Sequence, residues 1–221
     1  MRNVRTINND AYSSSALATN KVLRNTYFLL GITLAWSAII AGVAAAMALP
    51  RPGLIITLVG FYGLLYLTEK NRNSSLGLLF VFLLTGFMGY TLGPIINMVM
   101  ARGGSEIVMM ALGGTALTFF TTSAYALTTK RDLSFLGGMM LAGFVVLIVA
   151  VIANIFLQMP ALALAISAMF ILFSAGAILL TTQSIVRGGE TNYISATVTL
   201  YVSIYNIFLS LLHILGVTSG D

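Results

Sequence analysis

The chain has 221 residues, 58% of them hydrophobic and 8% charged, with a mean hydropathy of +0.98. Soluble domains carry about a quarter charged residues, so the composition is that of a membrane protein with little room for a separate soluble domain. The net charge of +5 then reads as a topology signal rather than as nucleic-acid binding, and the absence of cysteine rules out a disulfide framework and a thiolate metal site.

Residues 1–25 are polar and hold Arg2, Arg5, Lys21 and Arg24. The run NNDAYSSSALATN has no apolar core, so it is not a cleaved signal peptide and reads as a flexible cytoplasmic tail. Seven apolar segments follow, at roughly 26–49, 53–68, 75–101, 106–129, 133–158, 160–182 and 193–217. Most reach the ~20 residues that cross ~30 Å of hydrocarbon. The second is short, and the third contains Pro94, which kinks it or ends it early. Backbone groups in lipid must pair internally, and barrel strands would be shorter and alternating, so the expectation is an all-α membrane protein of seven transmembrane helices over 26–217, with a short periplasmic terminus at 218–221.

Orientation follows from the loops. With the amino terminus cytoplasmic, one side collects nine Lys and Arg from the tail, 69–74, 130–132 and 183–192, while the other keeps only Arg51 and Arg102. That bias places the tail inside and the carboxyl terminus in the periplasm. Tyr27, Tyr66, Tyr125 and Tyr193 then fall near the cytoplasmic interface, where tyrosine is favoured.

Small residues recur at helix-contact spacing: Ala38, Gly42 and Ala46 in the first segment, Gly89 and Gly93 in the third, Gly138 and Ala142 in the fifth. Packing within one bundle accounts for them better than dimerisation does. Four amide side chains lie in or near the spans. Asn97 follows Pro94, Asn154 and Gln158 share a face, and Asn206 sits midway along the last segment. Each must face protein or water. For Asn206, interhelical bonding and a hydrated cavity both stay open.

The last segment carries Ser195, Thr199, Ser203, Asn206, Ser210 and His213 at an average spacing of 3.6 residues, the α-helical period. One continuous polar face is expected, turned into the bundle as a polar core or pore lining. Ser167, Ser174 and Thr181 of the sixth segment offer a matching face. All seventeen Lys, Arg, Asp and Glu residues lie in tails, loops or helix ends, so the middle of the membrane offers no ionisable relay, and His213 reads as interfacial. No acid pair, nucleophile–base cluster, phosphate loop or metal-ligand spacing is present, so neither enzyme activity nor a cofactor is expected.

GYTLGPIIN (89–97), IVMMALGGTALTFF (107–120) and ETNYISATVTLYVSIYNIFLSLL (190–212) resemble the transmembrane Bax-inhibitor-motif family, with Gly89, Gly93, Pro94 and Asn97 inside the first stretch. KVLRNTYFLL (21–30), RDLSFLGGM (131–139) and ANIFLQMPAL (153–162) extend the likeness over essentially the whole chain, towards the family's bacterial inner-membrane members. The resemblance implies seven helices with the last one central. It also implies association with FtsH, a membrane-anchored ATP-dependent protease, alone or with HflK and HflC, and modulation of its degradation of membrane proteins. Some members leak calcium or protons through an aspartate pair, which is the alternative reading. The matching positions here, Thr181 or its neighbour and Ser203, are neutral, which weighs against a carboxylate-gated leak.

Overall fold

The structure is a computed structural model describing residues 2–218, with side chains described at 19–101 and 104–217. Among the described residues there are seven helices and no strand: α1 (Arg2–Ala46), α2 (Leu54–Lys70), α3 (Ser75–Ala101), α4 (Gly104–Thr128), α5 (Phe135–Leu157), α6 (Pro160–Val186) and α7 (Tyr193–Thr218). All but α2 are long and apolar enough to cross a membrane. The apolar span of α1, Thr19–Ala46, starts before the expected residue 26, and the helix itself begins at Arg2, where the sequence suggests a flexible tail. The terminal segment 218–221 lies outside the described residues apart from the backbone of Thr218.

The third segment does not end at Pro94, because α3 continues to Ala101. The chain turns instead at Gly104, whose φ of 77° is a conformation that glycine adopts without steric cost.

Polar contacts fix the sides of the bundle. At one end Asn192, before α7, donates to the Arg72 carbonyl and the Asn73 side chain after α2. At the same end Arg187, after α6, donates to the Arg131 carbonyl after α4, and Thr19 lies beside Gly188. The starts of the apolar span of α1 and of α7 therefore meet the ends of α2, α4 and α6. At the opposite end Tyr90 donates to the Pro50 carbonyl and Asn97 to the Ala45 carbonyl. So α2 runs from one end to the other, although its 17 residues span only about 26 Å at 1.5 Å per residue. The expected cationic loops share one end.

The last helix is central. α7 packs on every other helix except α5, and Leu200, Tyr201, Ile207 and Leu212 along it are essentially inaccessible. α5 is peripheral and rests on α6 alone, with Met140 over Gly176 and Phe144 against Phe173.

Of the small-residue faces, that of α3 is the one used for close approach. A Cβ at Gly89 would fall on the Ser37 carbonyl, and one at Gly93 would lie 2.5 Å from the Ala44 Cβ. The facing surface of α1 is Thr33, Ser37, Ala41 and Ala44, all buried. The expected Ala38–Gly42–Ala46 face lies on the outside, as do Gly138 and Ala142 of α5. These positions are rotated off the contact, so their small size serves no packing inside the bundle.

Candidate functional site

α7 carries polar groups on two faces. The face expected from its serines is only partly interior: Ser195, Ser203 and Ser210 are buried, Asn206 is half-buried, and Thr199 and His213 are exposed. Thr199 and Ser203 donate to carbonyls of their own helix, at Ser195 and Thr199. His213 Nδ1 pairs with the Ser167 hydroxyl of α6 at 2.8 Å. The side chains of Asn206 and Thr181 make no hydrogen bond among the described residues, and Thr181 is half-buried. Nothing here assembles the neutral counterparts of an aspartate pair into a ligand cluster. Among the described residues no group of three His, Cys, Asp or Glu could hold a metal.

A second face, not evident from the serine period, makes the bonds from α7 to α1 and α3. Thr197, Tyr201 and Tyr205 follow one another at four-residue steps. Thr197 donates to the Thr26 carbonyl of α1. The Tyr201 hydroxyl pairs with the Ser37 hydroxyl of α1 and donates to the Thr85 carbonyl of α3 at 3.2 Å. The Tyr205 hydroxyl pairs with Thr91 of α3 at 2.7 Å, and the two tyrosine rings stack at 6.5 Å. Tyr27 and Thr182 add a bond between α1 and α6. Apolar rings with a hydroxyl at the tip let α7 reach across to α1 and α3 without placing a free polar group in hydrocarbon. The i, i+4 tyrosines were the available signal. Tyrosine reads first as an interface residue, which is why hydroxyl counting passes over it.

Replacing Tyr201 by Phe should therefore cost about 1 kcal/mol, the range of membrane hydrogen bonds, and more than Asn206→Leu. Chemical unfolding in detergent measures both, and a larger loss for Asn206→Leu would return the helix-bonding role to the serine face.

The other candidate residues hold helix ends. Asn97 Nδ2 donates to the Ala45 carbonyl at 2.7 Å, capping α1 from the motif that contains Gly89, Gly93 and Pro94. The Asn154 side chain accepts from the Met159 amide, and Gln158 is left-handed, with φ of 49°, closing α5 before Pro160. Asn154 also lines a cavity of about 230 Å³ with Val151, Ile155, Ala163 and Ile166. That cavity lies between α5 and α6.

Two latches close the cationic end. Ser195 donates to Glu69 at 2.9 Å, with Arg72 at 3.4 Å from the same carboxylate. Gln183 accepts from the Leu133 amide and donates to the Arg131 carbonyl, both at 2.9 Å, while Arg187 bridges Asp132 at 3.1 Å. Hydrogen bonds from Ser134 and the Arg187 charge hold the Asp132 carboxyl below its ordinary range. With its folded value depressed, whatever the bridge contributes is present above the ordinary carboxylate range and is lost as pH falls through the lowered value.

Against known proteins, the family model described as inhibitor of apoptosis-promoting Bax1 matches residues 19–220. The chain is 61% identical over 208 residues to the modulator of FtsH protease YccA of Escherichia coli K12, covering 94% of this chain and 95% of the relative. Identity and coverage are the same for the inner membrane protein YccA of Escherichia coli O6:H1. An uncharacterized membrane protein of Vibrio cholerae is 44% identical over 207 residues, 93% of each chain.

Proposed function

The chain belongs to the family of inhibitors of apoptosis-promoting Bax1, and on that basis we propose that it is a non-enzymatic inner-membrane regulator that associates with FtsH and modulates its degradation of membrane proteins. The near full-length likeness to a modulator of FtsH carries this reading. The architecture fits a regulator engaged by the protease and slow to be consumed. α7, the last helix to be reached from the amino terminus, is bonded or packed to five neighbours. FtsH is the partner, with HflK and HflC as associated subunits. The orientation that fits a cytoplasmic protease places the amino terminus and the cationic loops inside and the carboxyl terminus in the periplasm, in agreement with the positive-inside bias.

Affinity purification of the tagged full chain from native membranes should enrich FtsH, and overproduction should slow turnover of other FtsH substrates. Neither effect appearing would end the proposal. In the same strains a periplasm-reporting fusion at Asp221 should be active and one in 130–132 silent. The reverse pattern would overturn the orientation.

A further inference from the structure

We propose that the loop between α4 and α5 is a binding site for an anionic phospholipid, with the lipid phosphate on Lys130 and Arg131 and the acyl chains in the cleft below. The cleft follows from the packing. α4 and α5 are consecutive, yet they do not pack on one another, and α5 rests only on α6. A gap therefore separates α4 from α5 along the outside of the bundle. Its rims near the loop are apolar and open: Tyr125 and Leu127 on α4, Phe135 and Met139 on α5, each more than 40% exposed.

The loop crosses the top of this gap with its backbone fixed. Gln183 holds it at the Leu133 amide and the Arg131 carbonyl, Thr129 accepts from the Arg131 amide, and Arg187 donates to the Arg131 carbonyl at 2.6 Å. The one carboxylate in the loop, Asp132, is taken by Arg187. The Lys130 ammonium and the Arg131 guanidinium are exposed and have no hydrogen-bond or ion-pair partner among the described residues. A held backbone presenting two unpaired cations over an apolar cleft matches a phosphodiester headgroup with its tails. The guanidinium offers a two-pronged donor and the ammonium a point charge. Pre-ordering of the loop by Gln183 and Arg187 lowers the entropic cost of binding. Both leaflets contain phospholipid, so the site does not depend on the orientation proposed above, and its failure would leave the FtsH reading untouched.

The test uses the full chain reconstituted into vesicles of mixed phosphatidylglycerol and phosphatidylethanolamine, re-extracted, and weighed with its retained lipid by native mass spectrometry. The wild type should retain phosphatidylglycerol in excess of its share of the vesicle. The Lys130→Ala, Arg131→Ala double variant should lose about tenfold of that enrichment, since each basic residue at an anionic surface contributes severalfold. Arg51→Ala, at the opposite end, should keep it. Gln183→Leu, a positioning variant, should weaken retention while both cations remain, with folding checked by melting temperature. Unchanged enrichment in the double variant would overturn the proposal. So would complete displacement by inorganic phosphate, which would make the site one for a free anion. Loss of FtsH co-purification with lipid retention intact would make the loop a protein-docking surface and overturn it equally.

Discussion

Gly89→Leu should prevent the chain from accumulating as a monodisperse, folded bundle, and Gly93→Leu should do nearly the same. At position 89 the new Cβ meets the Ser37 carbonyl oxygen, with the Ser37 hydroxyl at 2.9 Å. At 93 it meets the Ala44 Cβ at 2.5 Å, the Ala45 nitrogen at 2.9 Å and the Ala41 oxygen at 3.0 Å. Most of these obstacles are backbone, so no rotamer change relieves them. α3 must retreat from α1, and that retreat stretches the Ser37–Tyr201–Thr85 junction and the Asn97 bond to Ala45 together. Overpacking a well-fitted core costs about 1–3 kcal/mol, and here the loss of linked hydrogen bonds adds to it. Gly113→Leu, with nothing within 4 Å of the added carbon, is the control for helix propensity and surface change. Size-exclusion profiles and melting temperatures decide the matter. A Gly89→Leu protein that melts with Gly113→Leu would show that the α1–α3 contact is loose.

The spans were legible because hydropathy alone separates lipid from loop, and the centrality of α7 was implied by the family resemblance, with the polar period of the helix in agreement. The choice among faces was not legible. α1 offers Thr33–Ser37–Ala41–Ala44 and Ala38–Gly42–Ala46, two small-residue stripes turned only a residue or so apart. A single helix does not reveal which of them meets a partner. The same holds for α7, where hydroxyls from serine on one face and tyrosine on the other both demand an interior setting. Only the position of α3 shows that Tyr201 and Tyr205 do the bridging. The join between α3 and α4 was legible from the gap between the segments 75–101 and 106–129, but the effect expected of Pro94 was not found, for a different reason. Pro94 carries the stronger helix-ending signal, yet it sits where α3 continues, while glycine merely permits the turn without demanding it. Of the amides singled out as groups that must find partners, the Asn206 side chain makes no hydrogen bond among the described residues, while Asn97 and Asn154 have them. Their partners turned out to be backbone atoms at helix ends, at Ala45 for Asn97 and Met159 for Asn154, which a search for cavities does not consider.

Removing residues 2–18 should lengthen the lifetime of the chain against FtsH severalfold while leaving the bundle folded. A processive protease pulls from an end it can open without first breaking a core. The segment before residue 19 is rich in Asn, Ser and Thr, poor helix formers that compete for their own backbone groups. A helix continued there without an apolar face is marginal in water. Beyond residue 19 every further step costs more, because the apolar span Thr19–Ala46 must leave lipid and the Gly89–Gly93 contact with α1 must part. Engagement is then easy and completion slow, the property that turns a substrate into a competitor. The truncated chain keeps Lys21 and Arg24, so the charge bias that sets orientation is reduced but not reversed. Its association with FtsH should persist if binding uses the folded helices. Pulse-chase decay of full-length and truncated chains, with and without active FtsH, reads the effect directly. Equal decay would exclude the amino-terminal segment as the handle and direct attention to the 183–192 connection. That loop is pinned by Arg187 at one end and Asn192 at the other, so the protease would have to break both anchors before it could pull.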